Sequence, residues 1–186
     1  MKNIPRSLSR KPLLIGAVAL SLAAAAGVAR AADPMTSATG GDVPSSDRKF
    51  IEKATIGNMA EVKLGKLAQE QGSSQAVRDF GARMVQDHTK ANAELQKVAT
   101  AKGVTVPGTI DKAAQSDYDK LAKKSGADFD KAYVNGMVSD HKTDIAEFQK
   151  EVKSGKDADL QAFASKTLPT LEDHLKMIQG IKDSMK

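Results

Sequence analysis

The chain has no cysteine in its 186 residues. That excludes a disulfide, thiol redox chemistry and a lipid-modified cysteine anchor. Tryptophan is missing too, and aromatic residues make up only 4% of the chain. Strand-like alternation is nearly absent, so the ten-residue alternating strands of a membrane barrel are not expected. There is no G-x-S-x-G nucleophile elbow, no glycine-rich phosphate loop and no twin arginine. An excess of basic charge is also lacking once the amino terminus is set aside. Five of the 28 Lys/Arg fall in residues 1–31, which hold no acid, and the other 23 balance the 23 Asp/Glu. The formal +5 therefore belongs to the first 31 residues, and the remainder carries no basic footprint for nucleic acid.

Those first 31 residues read as a secretory signal. Lys2, Arg6, Arg10 and Lys11 make a positive start, Pro12 to Ala29 is apolar or small, and Ala29-Arg30-Ala31 is an A-x-A cleavage pattern. Cleavage would leave a periplasmic or otherwise exported chain starting near Ala32, with no transmembrane segment. The rival reading is an uncleaved anchor, because the apolar run is just long enough to span a bilayer. Residues 32–45 are rich in Gly, Ser, Thr and Pro and read as a flexible tether. Residues 46–186 are enough for one domain with a real core.

Four long segments of that domain carry helical periodicity. The first runs from about Ser46 to Gln71, with Phe50, Ala54, Gly57, Glu61, Leu64 and Ala68 on its inward stripe. The second ends near Lys102, the third spans about Ala127 to Lys153, and the fourth about Asp157 to Asp183. Gly72-Ser73-Ser74 and Ser154-Gly155 separate the members of each pair. Pro169 is expected to kink the fourth helix or split it. Gly103 to Gly126 is a longer connection with a short helix around Ala113 to Lys123. Short loops pair antiparallel neighbours, so the expected fold is all-α: a ferritin-like four-helix bundle of two hairpins joined by a long crossover. An up-down bundle with a loose loop is the alternative. Lys53-Ala54…Met59 matches Lys131-Ala132…Met137 at a constant offset of 78, a faint repeat consistent with two equivalent hairpins.

All three histidines stand directly behind an aspartate: Asp87-His88, Asp140-His141 and Asp173-His174. Composition alone gives this less than about once in a thousand. The histidines and Glu61 fall on the inward stripes of four different helices, each about 14 to 18 residues from its helix start. Mid-helix positions in an antiparallel bundle share one level, so these four side chains can meet in one layer. A carboxylate and imidazoles facing one another can bind zinc, iron, manganese or copper. The aspartates point about 100° away, towards a neighbouring helix, where a carboxylate can orient a histidine or simply be solvated. Met84, Met137 and Met177 share helix faces with the histidines and offer soft ligands suited to copper(I). Methionine is also an ordinary core filler.

Four stretches carry a resemblance: ATIGNMAEVKLGKLAQEQ (54–71), FGARMVQDHTKANAEL (80–95), GADFDKAYVNGMVSDH (126–141) and KTLPTLEDHL (166–175). They span nearly all of the chain expected after cleavage. In this order they resemble the exported bacterial domain of unknown function 4142, whose members are often labelled outer membrane proteins. The resemblance implies a ferritin-like bundle outside the cytoplasm and no established activity. Di-iron members of the wider class use Glu-x-x-His on two helices. Here Val85, Val138 and Leu171 stand three before the histidines, so a standard di-iron site is not expected. Three readings follow. One is a metal-binding module using Glu61, His88, His141 and His174. The second is a non-catalytic envelope or stress-related interaction protein whose polar layer only specifies the bundle. The third, a metal-dependent enzyme, has no independent support in the sequence.

Overall fold

The computed structural model describes residues 42–185. The segment read as an export signal and residues 32–41 of the tether lie outside the described residues. The described chain forms five helices: α1 (Ser45–Gln71), α2 (Gln75–Ala101), α3 (Lys112–Leu121), α4 (Gly126–Ser154) and α5 (Ala158–Ser184). Side-chain caps set three starts by accepting otherwise unpaired backbone N–H groups. Ser74 accepts from Val77 (3.2 Å), Asp111 from Ala114 (2.8 Å), and Asp157 from Asp159 and Leu160 (3.0 and 3.2 Å).

α1 packs on α2 and α4 on α5, giving two antiparallel hairpins, with α3 lying against α1 and α4. The first hairpin closes unusually tightly at Gly65 and Gly81. A Cβ on either glycine would stand 2.6 Å from the other's carbonyl oxygen, so the two backbones touch where they cross. The hairpins are tied to each other by reciprocal carboxylates. Asp47, fully buried in the first turn of α1, accepts from the backbone N–H of Lys156 (2.9 Å) and Asp157 (2.7 Å) in the α4–α5 loop. Asp130, in the first turns of α4, accepts from Ser73 N and Ser74 N, each at 2.8 Å, and from Ser73 Oγ at 2.6 Å, in the α1–α2 loop.

The core is divided in two. One cluster gathers Leu67, Phe80, Met84, Phe129, Tyr133 and Ile178, among others. The other gathers Phe50, Ile51, Leu95, Phe148, Phe163 and Leu171. On α1, α2, α4 and α5 the division falls at Glu61, His88, His141 and His174 respectively, which sit buried between the apolar clusters.

Helix ends agree with the periodicity to within a few residues, with three local differences. Pro169 does not split the fourth helix, because Ala158–Ser184 is continuous. Pro169 and Ser165, whose carbonyl loses its helical donor, are both exposed, so water can serve that oxygen. On α1, Gly57 and Leu64 are only half-buried, while Thr55, Asn58 and Gly65 are buried. The stretch read as tether also reaches into the fold, since Val43 is 4% exposed in the second cluster. No helix among the described residues is long and apolar enough to cross a membrane.

Candidate metal centre

His88, His141 and His174 are 2%, 0% and 0% exposed, and one ring nitrogen from each lies within 4.8 Å of the other two. Ring centroids are 5.4 to 5.8 Å apart. Each ring is oriented by an acceptor on its outer side. His88 Nδ1 lies 2.8 Å from Glu61 Oε2 and 2.9 Å from Asn58 Oδ1. His141 Nδ1 lies 2.9 Å from the Met137 carbonyl, one turn back on its own helix. His174 Nε2, on α5, lies 2.9 Å from Asp87 Oδ2, on α2. The Asn58 amide oxygen, the Met137 carbonyl and the ionised Asp87 carboxylate only accept, so each outer nitrogen is the one that carries the proton and donates.

The remaining nitrogens then carry lone pairs. His88 Nε2 is buried with no hydrogen-bond partner. His141 Nε2 and His174 Nδ1 face each other at 3.3 Å. Burial pushes the imidazole pKa values down, for His88 and His174 to about 4 and for His141 in the same direction, which favours neutral rings. Two neutral imidazoles with both protons turned outward repel each other at that distance unless a positive centre stands between them.

Glu61 is placed beside this cluster and not among its mutually close donor atoms. Its Oε2 lies 2.8 Å from His88 Nδ1, whose hydrogen bond goes to Asn58, and its Oε1 lies 3.5 Å from His141 Nδ1 with no hydrogen bond. Burial pushes its carboxyl upward, opposed by His141 and reinforced by Asp140. Among the three aspartates, Asp87 reaches a histidine on another helix. Burial raises its pKa, but hydrogen bonds from Arg83 and His174 outweigh this and hold it below the usual range. Asp140 instead lines a cleft beside Glu61, and burial with Asp117 nearby lifts it to about 6. Asp173 is exposed. Met84 and Met137 are packed in the first apolar cluster, and Met177 is 38% exposed.

Sequence reasoning missed two participants. Asn58 lies one turn before Glu61 on the same face, a polar residue in an apolar stripe, and that was the available signal. Asp144 lies three residues after His141, and burial, followed by the charge of Glu61, pushes its carboxyl well up. With Glu61 and Asp140 it lines a cleft of about 490 Å³ between α1, α3 and α4.

The sequence profile described as domain of unknown function (DUF4142) matches residues 31–181. The chain belongs to the DUF4142 family. No curated protein matches it. Among solved structures, this DUF4142 chain is similar to the crystal structure of a DUF305 fragment from Deinococcus radiodurans. The TM-score is 0.67 at 10% identity, over 76% of this chain and 97% of that one. At that identity the likeness speaks for the shared helical fold alone.

Proposed function

We propose that this DUF4142 domain is an exported metal-binding module that holds one transition-metal ion between His88, His141 and His174. One observation carries the reading. Three buried imidazoles each have an acceptor behind them, which leaves one lone pair per ring for a common centre. Two nitrogens on one tetrahedral zinc, at about 2.0 to 2.1 Å each, stand about 3.3 Å apart. The facing nitrogens of His141 and His174 already have that separation, 3.3 Å. One ring nitrogen of His88 lies within 4.8 Å of a ring nitrogen of each of the other two. Glu61 and Asp87 act from behind, fixing the rings of His88 and His174 and raising their basicity.

Three imidazoles without a thiolate are a borderline donor set that suits zinc, copper or iron, whereas manganese prefers oxygen. The burial of Met84 and Met137 in the apolar cluster speaks against a thioether-rich copper(I) site. Elemental analysis of protein purified without a chelating tag tests the reading. The expected result is close to one metal per chain, lost in His88→Ala/His141→Ala. A metal-free protein that takes up nothing on titration would refute it.

The division of the core into two apolar clusters by this layer favours a second reading. Offset polar layers can fix helix register without binding anything. It predicts that the same double variant loses register specificity or stability, with no metal-dependent difference from the parent protein.

A further inference from the structure

The three histidines are almost wholly shielded from solvent, so a metal needs a way in. We infer that the cleft between α1, α3 and α4 is the entry route for a hydrated divalent cation, with Glu61 as the last carboxylate before the histidines. This rests on the metal reading above and adds the path to it.

Four features of the cleft converge. Glu61 is 3% exposed and lines the cleft, yet its oxygens stand 2.8 Å from His88 and 3.5 Å from His141, the second of them unpartnered, so one residue borders both the cleft and the histidines. The lining carries six carboxylates against one cation, Lys53, and that lysine is spent on Glu147 at 2.7 Å. Asp140 and Asp144 make no hydrogen bond or ion pair among the described residues, unlike Asp111, which caps α3, and Asp117, which pairs with Lys120. The walls are small: a Cβ placed on Gly57 would meet only the Asp144 carboxylate, at 3.9 Å.

The balance of charge differs on the two sides of α3. Its other flank forms a separate groove of about 930 Å³ lined by five lysines, Lys63, Lys66, Lys112, Lys120 and Lys123, against two aspartates, Asp111 and Asp119. A cation is therefore repelled from one side of the short helix and drawn to the other. Clefts lined by one sign of charge focus the field and raise association rates by about 10- to 1,000-fold, an effect weakened by salt.

Stopped-flow loading of metal-free full-length protein with Co²⁺, followed by its d–d absorption, separates a route from a site. Gly57→Leu should obstruct the cleft without removing a ligand, slowing both association and chelator-driven release by about tenfold and leaving the equilibrium affinity unchanged. Ala114→Leu does the same from the α3 wall and guards against a local packing defect in the first variant. Asp140→Asn should slow association at low ionic strength and flatten its salt dependence. Wild-type rates in both obstructed variants, with folding verified by circular dichroism, would overturn the route while leaving the metal site intact. No Co²⁺ binding by the wild-type chain would overturn the metal reading and the route together.

Discussion

His174 on α5 donates its outer N–H to the carboxylate of Asp87 on α2, 2.9 Å away and 87 residues earlier in the chain. This bond crosses between the two hairpins, so it sets the imidazole's tautomer and also links the halves of the bundle. Asp87 is itself held by Arg83 one turn before it. A carboxylate behind a metal-binding histidine typically contributes 10- to 100-fold to affinity. Asp87→Ala should weaken metal binding by about that factor in a competition titration, with the helical spectrum preserved. Unchanged affinity would show that Asp87 has no part in holding the metal.

The crossing of α1 and α2 leaves no room for side chains at Gly65 and Gly81. Alanine favours a helix over glycine by about 1 kcal/mol, but a Cβ 2.6 Å from a backbone oxygen forces the helices apart. Overpacking of this kind costs about 1 to 3 kcal/mol. Gly65→Ala and Gly81→Ala should each lower the urea midpoint, and the pair should not add, since either one opens the same crossing. A rise in midpoint for either single variant would contradict the backbone contact.

Two carboxylates away from the histidines should give opposite pH dependences. Burial raises the Asp130 pKa, but hydrogen bonds from Ser73 and Ser74 outweigh it and hold the group below 3.8. Its stabilisation is thus full above about 3.8 and is lost as pH falls through the lower folded value. Asp130→Ala should cost about 1 to 3 kcal/mol near neutral pH and less in acid. Glu151 is pushed up to about 7 by burial and then by Asp47 and Asp157. Its contribution is present below about 4.5 and is lost as pH rises through about 7. Glu151→Gln should therefore gain on the parent protein across that window and be the more stable at pH 8. Denaturation curves from pH 3 to 8 would check both signs, and parallel curves for parent and variant would contradict them.

Helices are the part of this protein most legible in its sequence. The 3.6-residue stripes, the Gly/Ser breaks and the long middle connection define five elements close to those observed. The common level of the three histidines could also be read, since it depends only on distance from helix ends. The role of Glu61 could not, because standing among the ring nitrogens or behind them depends on side-chain reach. The three Asp-His pairs look alike in sequence, yet only Asp87 meets a histidine across an interface, while Asp173 is exposed. Pairwise backbone contact between Gly65 and Gly81, and the cleft closed by α3, appear only once separate segments are brought together.

One metal ion is proposed to sit between the histidines. The most direct test is a crystal of the metal-loaded protein with diffraction measured on both sides of the metal's absorption edge. One anomalous peak is expected within bonding distance of His88 Nε2, His141 Nε2 and His174 Nδ1, with Asn58 and Asp87 still hydrogen-bonded behind the rings of His88 and His174. An anomalous peak elsewhere, or none among the histidines at full metal loading, would contradict it.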